Sequence, residues 1–176
     1  MPPMHEQLLD FIRDVPDFPK PGIVFKDFTP LLSDPGALAL AVELMVNPFR
    51  GNRVDLVLGA ESRGFIFGTA IAQALSAGFV PIRKAGKLPR AVHHVEYELE
   101  YGVDRLEIHA DDIPKQSRVL IVDDLLATGG TLDASMQLAG MAGAQVIGAT
   151  VLIELTALAG RAKLESIDPL HAVLEF

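Results

Sequence analysis

The stretch VLIVDDLLATGGT, residues 119–131, predicts how the middle of this chain folds. Its first four residues are a short apolar run typical of a buried strand, and the glycine pair near its end opens a helical pattern. Between them stand two adjacent acids, Asp123 and Asp124. Backbone N–H groups at a helix N-terminus favour a phosphate, whereas two carboxylates repel one. The stretch therefore predicts a ligand that carries a phosphate together with hydroxyl groups or a bound cation.

Two familiar phosphate-binding patterns do not fit this stretch. A Walker A loop needs a lysine directly after the glycines, and a dinucleotide-binding loop needs the spacing GxGxxG; neither is present. The plainer alternative is a tight strand-to-helix connection in which both acids are simply solvated.

Strands and helices alternate along most of the chain, which implies right-handed βαβ units. We expect an α/β fold with a central, mainly parallel, twisted open sheet flanked by helices. In such sheets ligands bind at the carboxyl ends of the strands, where the two acids fall. The sequence predicts helices over residues 5–15, from 35 onward with Asp34 as N-cap, 64–77 and 131–142. It predicts strands at 54–58, 78–82, 94–101, 106–110, 118–122 and 146–152, a turn at 102–104, and no regular core element over 18–30.

Composition narrows the classes of protein that need to be considered. The 176 residues suit a single domain, and the net charge of −8 argues against a nucleic-acid partner. No apolar run has the roughly 20 residues of a membrane span, and the first residues do not resemble a signal peptide. Cysteines are absent, which excludes thiolate chemistry and disulfides. We expect a cytoplasmic protein without a membrane or nucleic-acid partner.

Two further stretches carry groups suited to an anion. LGAESRGFIFG, residues 58–68, places Ser62 and Arg63 just after a predicted strand, where a hydroxyl and a guanidinium can hold a diphosphate. Taken alone, Arg63 is more simply a surface cation. RKAGKLPR, residues 83–90, concentrates positive charge on an acidic chain and so suits a small, highly anionic ligand.

These motifs together resemble a known enzyme family. VLIVDDLLATGGT is similar to the phosphoribosyl-pyrophosphate (PRPP) motif of the type I phosphoribosyltransferases. Four further stretches resemble the adenine phosphoribosyltransferases: IRKAGKLP, YELEYG, FPKPGIVFKDFTPLL and LIELTALAGRAKL. The resemblance therefore covers nearly the whole chain. It implies the type I phosphoribosyltransferase fold within one domain, residues 1–176. An N-terminal hood for the base would cover about 1–33, and a flexible hairpin with a mobile catalytic loop about 83–110.

The resemblance also implies an activity and its partners. The expected reaction converts adenine and PRPP to AMP and pyrophosphate, with Mg²⁺ as cofactor, in a homodimer that serves purine salvage. The Mg²⁺ is expected to be bound mainly through PRPP, near Asp123 and Asp124, with no side-chain ligand assigned.

Residue roles follow from the resemblance position by position. The 5′-phosphate is expected to be bound by the backbone and hydroxyls of Ala127, Thr128, Gly129, Gly130 and Thr131. The ribose hydroxyls are expected to be bound by Asp123 and Asp124. Ser62, Arg63, Arg83, Lys84 and Lys87 are expected at the diphosphate, with Arg63 and Lys87 also assisting catalysis. Val24, Phe25 and Lys26 are expected to bind adenine, and Glu100 to act near N7 of the base.

Several alternatives remain at the level of sequence. Glu96, Glu98 and Glu100 lie on one face of a predicted strand and, judged by spacing alone, form a solvated surface. Arg90-Ala91-Val92 departs from the family pattern. His93 and His94 are read as exposed loop residues rather than a metal site. The chain could instead act on hypoxanthine, guanine or xanthine, or be a non-catalytic PRPP sensor or a generic nucleotide-binding module.

Overall fold

A computed structural model describes residues 3–99 and 102–176. The chain forms two compact units, Met1–Leu44 and Met45–Phe176. Within the described residues, none of the helices has the length and apolar character needed to cross a bilayer.

The first unit contains a small antiparallel ribbon. A 3₁₀ helix, Met4–Phe11, leads into strand β1, Arg13–Pro16, which pairs with β2, Val24–Asp27. The prediction of a helix over residues 5–15 is therefore wrong beyond Phe11, since the backbone of 13–16 bonds to a strand that follows later in sequence. Residues 18–30, predicted to hold no regular core element, contain β2 and the start of the short helix α1, Thr29–Ser33, and the side chains of β2 are exposed or half-buried.

Helix α2, Pro35–Val46, begins as predicted. The Asp34 carboxylate accepts a hydrogen bond from the backbone N–H of Ala37 at 2.8 Å. The N-cap carboxylate pairs an N–H group that has no partner within the helix, and proline at the first helical position has no N–H to satisfy. A 3₁₀ turn, Asn47–Phe49, follows α2.

The second unit is built on a seven-stranded sheet, which confirms the predicted α/β class. In chain order its elements are β3 (Leu56–Ala60), α3 (Gly64–Ala74), β4 (Gly78–Lys84), β5 (Val92–Leu99), β6 (Gly102–His109), β7 (Arg118–Leu126), α4 (Gly130–Met141), β8 (Gln145–Glu154), 3₁₀ turns at Thr156–Leu158 and Gly160–Lys163, and β9 (Leu170–Glu175). The strand order is β5-β6-β4-β3-β7-β8-β9. β3, β4, β7, β8 and β9 pair in parallel, whereas β5 and β6 form an antiparallel hairpin.

Two predicted boundaries differ from the structure in ways that affect function. β7 continues to Leu126 instead of ending at Val122, because β8 offers backbone partners to that point, from Asp123↔Val151 to Leu126↔Glu154. The predicted turn at 102–104 lies within β6, where Asp104 pairs with Tyr97 of β5. Asp123 and Asp124 thus belong to the central strand β7 and are held by the sheet.

Helix α4 packs against two apolar clusters of the core. One apolar cluster contains Leu58, Ile82, Leu106 and Leu138, and another contains Ile121, Leu132, Val151 and Leu164. Helix α4 contributes to both clusters through Leu132 and Leu138. Burial of these side chains, at about 25 cal/mol per Å² of apolar surface, fixes the start of α4 against the end of β7.

Candidate active site

A cavity of about 250 Å³ opens at the carboxyl ends of β3 and β7. Parallel strands bring their carboxyl ends to one edge, so residues far apart in sequence meet there. The loop after β3 supplies Glu61, Ser62 and Arg63. The end of β7 and the start of α4 supply the remaining lining residues, Asp123, Asp124, Leu125, Leu126, Ala127, Thr128, Gly129, Gly130, Thr131 and Leu132.

One wall of the cavity is a loop of small residues that opens helix α4. Gly129 has a φ of +84°, a conformation that side chains rarely adopt, and α4 begins at the next residue. The first N–H groups of a helix have no partner within the helix, and its dipole favours negative charge at that end. Ala127–Thr131 therefore offers donors suited to an anion; the segment is called the phosphate cradle below, and its role in binding phosphate stays a prediction.

The opposite character appears at two buried carboxyls beside the cradle. Asp123 is 7% exposed and Asp124 is 4% exposed, and the Asp124 N–H donates to Oδ1 of Asp123 at 2.9 Å. Burial raises the pKa of Asp123 well above its usual range, and the neighbouring Asp124 charge raises it further. Asp123 is thus costly to ionise without a ligand.

Arg63 compensates this charge only in part. Its Nε lies 3.1 Å from Oδ2 of Asp124, close enough for an ion pair. Oδ2 is nevertheless buried without a hydrogen bond of acceptable geometry to any described residue. The Arg63 Nε–H is near this oxygen but is not aimed at it closely enough to count as a hydrogen bond. An acceptor in this position suits a hydroxyl donor or a cation brought by a ligand.

A third acid, Glu61, pairs with two cations, one near the end of β4 and one shortly after it. Arg83 Nε donates to Glu61 Oε2 at 2.8 Å, and Lys87 Nζ pairs with Oε1 of the same side chain. Burial raises the pKa of Glu61, but the hydrogen bonds from Lys87 and Arg83 outweigh it and hold the pKa below the ordinary value. Lys84 lies elsewhere, with Nζ 3.1 Å from Oδ2 of Asp104.

The structure brings together most of the predicted PRPP-binding residues. Ser62, Arg63, both acids and the whole phosphate cradle line one cavity. Arg83 and Lys87 reach its rim through Glu61, whereas the side chain of Lys84 pairs with Asp104, which does not line the cavity. Glu100 falls outside the described residues.

The predicted adenine-binding residues lie in the first unit. Val24, Phe25 and Lys26 occupy β2. The Phe25 ring meets the Phe18 ring edge to face at a centroid distance of 5.3 Å, and Lys26 Nζ donates to Asp14 at 2.7 Å. Their roles in binding a base stay predictions.

Sequence reasoning missed Glu61 and Asp104 as partners of the basic segment. A signal for Glu61 was present, because an acid beside Ser62 and Arg63 is out of place in a loop expected to bind an anion. His93 and His94 lie on strand β5 instead of a loop, with His94 exposed and His93 half-buried. Among the described residues, no three potential metal-binding side chains lie together.

Comparison with known proteins agrees with this geometry. Residues 31–169 match the phosphoribosyl transferase domain. The adenine phosphoribosyltransferase of Rhodopirellula baltica is 54% identical over 175 residues, which is 99% of this chain and 84% of that protein.

Solved structures give the same result. The adenine phosphoribosyltransferase of Rhodothermus marinus superimposes with a TM-score of 0.93 at 50% identity, covering 98% of both chains. The Saccharomyces cerevisiae enzyme, in complex with an imino-altritol bisphosphate and adenine, gives 0.92 at 39% identity, covering 97% of this chain and 98% of that one. The chain therefore belongs to the phosphoribosyltransferase family, and within it to the adenine phosphoribosyltransferases.

Proposed function

We propose that the protein transfers a 5-phosphoribosyl group from PRPP to adenine and releases AMP and pyrophosphate. The observation that carries this proposal is the meeting of the phosphate cradle with Asp123 and Asp124 in one cavity. A ribose 5-phosphate satisfies both halves, because its phosphate suits the free N–H groups and its hydroxyls can donate to the carboxylates.

The chemistry forms a bond between N9 of adenine and C1′ of the ribose and breaks the bond from C1′ to the diphosphate oxygen. The ribose develops positive charge in this displacement, and the diphosphate leaves with its electron pair. Arg63 on one side and Arg83 with Lys87 on the other are suited to neutralise that leaving group. No covalent nucleophile is needed.

Adenine loses a proton as the new bond forms. We assign Val24, Phe25 and Lys26 to the base, with Phe25 stacking on the ring and the backbone on either side reading its edge. Glu100 is proposed to take or share the proton at N7. These assignments rest on the resemblance of FPKPGIVFKDFTPLL and YELEYG to the family.

Mg²⁺ fits the residues present as a partner of the bound ligand. The buried Asp124 oxygen without a hydrogen bond and the raised pKa of Asp123 indicate a site that gains from a cation. When bound, the ion would neutralise charge on the diphosphate. Asp123 and Asp124 would hold it through the ligand or water, since a full set of protein ligands is absent from the described residues.

The remaining assignments concern organisation. We infer that residues 1–176 act as one catalytic domain with a base-binding hood near 1–33 and a mobile loop within 83–110. We also infer a cytoplasmic homodimer that serves purine salvage.

A panel of bases tests the proposal. Purified protein, PRPP and Mg²⁺ are mixed separately with adenine, hypoxanthine, guanine and uracil, and nucleotide formation is followed. We expect AMP from adenine and little product from the others. Product from another base would overturn the adenine assignment, and PRPP binding without product from any base would indicate a sensor.

A further inference from the structure

The phosphate cradle rests directly on the backbone of a segment that contains no predicted ligand-binding residue. A Cβ atom on Gly129 would lie 2.6 Å from the carbonyl oxygen of Gly160. A Cβ on Gly160 would overlap the carbonyl oxygen of Ala127 and lie 2.8 Å from the backbone nitrogen of Gly129. The two backbones are therefore in contact from both directions, and only glycine fits at either point.

Gly160 needs this space and not an unusual backbone conformation. Its φ is not among the positive values, in contrast to that of Gly129. An alanine at position 160 would thus keep an ordinary backbone and press on the Ala127 carbonyl and the Gly129 nitrogen. Ala127 and Gly129 both line the cavity, so the displacement would occur at the proposed phosphate position.

The segment under the cradle is anchored on both sides. The Leu155 N–H donates to the carbonyl of Leu126, the last residue of β7, at 2.9 Å. Arg161 reaches the sheet with Nε 3.1 Å from Oε1 of the buried Glu154 and a second nitrogen paired with Oε2. Its Nη1 also donates to the carbonyl of Leu170 at 2.7 Å. Such a fork of hydrogen bonds fixes orientation as well as distance.

We propose that Gly160, held by the Arg161–Glu154 pair, is a positioning residue for the phosphate cradle. Its contact with Ala127 and Gly129 fixes the position of the cradle backbone, and this position sets the affinity for the 5′-phosphate of PRPP and AMP. The inference rests on the proposed function and adds a residue to it. Gly160 acts through Ala127 and Gly129 and does not touch the ligand in this scheme.

Gly160→Ala is the test variant, and Gly140→Ala is its matched control. A Cβ on Gly140, in α4, meets nothing within 4 Å. For Gly160→Ala we expect the KM for PRPP and the inhibition constant of AMP to rise about 10-fold, because a misplaced donor set loses binding energy. The KM for adenine and inhibition by pyrophosphate, neither of which carries a 5′-phosphate, should change less than about twofold, and Gly140→Ala should resemble the wild type.

Selectivity decides the outcome. An unchanged constant for AMP, or an equal weakening of AMP and pyrophosphate, would overturn the proposal, since a merely structural defect does not single out one phosphate. If Gly160→Ala does not fold, Arg161→Gln decides: we expect about a threefold loss for AMP with pyrophosphate unaffected, and no such difference would sink the idea. Failure of the wild type to form AMP would refute the proposed function instead.

Discussion

The two sides of the cavity are built by different means. The phosphate cradle is fixed by backbone: a strand that runs to Leu126, a glycine with positive φ, and contact with Gly160. The basic segment at the end of β4 and just beyond it, residues 83–87, is fixed by charge, through the pairs of Arg83 and Lys87 with Glu61 and of Lys84 with Asp104.

The two parts therefore recognise a ligand in different ways: the backbone donors of the cradle keep their positions, whereas the ion pairs of the basic segment can exchange partners. Backbone donors stay in place whether or not a ligand is bound, so they favour pre-organised binding of the phosphate that stays on the product. Ion pairs that are one-third to one-half exposed on the cationic side are worth little by themselves. A diphosphate can therefore replace Glu61 as their partner and be released again.

The largest effect is expected at the buried acids. Asp123→Asn should lower kcat/KM for PRPP about 1000-fold, or ~4 kcal/mol, because it removes the charge that accepts ribose hydroxyls. Steady-state kinetics measures this, with the exposed Glu165 changed to Gln as control. Activity within about threefold of wild type would contradict the assignment of Asp123.

The same variant should be more stable than the wild type without ligand. The pKa of Asp123 is raised in the folded protein, so the folded state holds its proton more tightly than the unfolded chain. Stability from this group is present at low pH and is lost as pH rises through the folded pKa. Asp123→Asn lacks that loss, and its Tm advantage in thermal melts should therefore grow from acidic to neutral pH.

Arg63 lines the cavity and pairs with Asp124, and its substitution should rank second. Arg63→Gln removes both a ligand for the diphosphate and the charge beside Asp124, and we expect about a 100-fold loss in kcat/KM for PRPP. Arg53→Gln is the matched control, because Arg53 pairs with Asp55 before the start of β3, at the other end of the strand. Equal losses in both variants would show that Arg63 has no special role.

Within the basic segment, two lysines separate cavity contact from simple charge. Lys87→Gln should raise the KM for PRPP about 10-fold, whereas Lys84→Gln should change it less than about threefold, because Lys84 pairs away from the cavity. Kinetics at two ionic strengths measures both. A larger effect at Lys84 would reverse the structural order and support its predicted place at the diphosphate.

The smallest effect is expected from removing the carboxylate that competes with the diphosphate. Glu61→Gln removes the charge that holds Arg83 and Lys87. The inhibition constant of pyrophosphate, measured with PRPP as the varied substrate, should then fall about threefold. Asp104→Asn, which frees Lys84, serves as the control and should leave inhibition unchanged. Weaker inhibition in Glu61→Gln would mean that Glu61 positions the cations for the ligand.

The sequence predicts the backbone-built side of the cavity much better than the charge-built side. The signals for the cradle are local: an apolar run, two acids and a glycine pair within thirteen residues. The pairs of Glu61 join residues 22 and 26 positions apart. No spacing rule connects them, since the contact exists only after β3 and β4 pair in the sheet.

The wrong predictions share a physical cause. The strand at 13–16 and the continuation of β7 to Leu126 both depend on partners distant in sequence, and tertiary pairing overrode the local pattern. The family resemblance and the α/β class are confirmed. The roles of the site residues remain predictions, including those of Glu100 and of the residues on β2.

The shared burial of Asp123 and Asp124 has a thermal consequence. Hydroxyl groups that donate to these carboxyls favour the ionised form, so ligand binding should expel a proton into the solvent. The heat measured on titrating PRPP into the protein should accordingly depend on the ionisation enthalpy of the buffer that takes up this proton. In calorimetry the dependence should be absent for Asp123→Asn, which makes the proton itself a reporter of ribose contact.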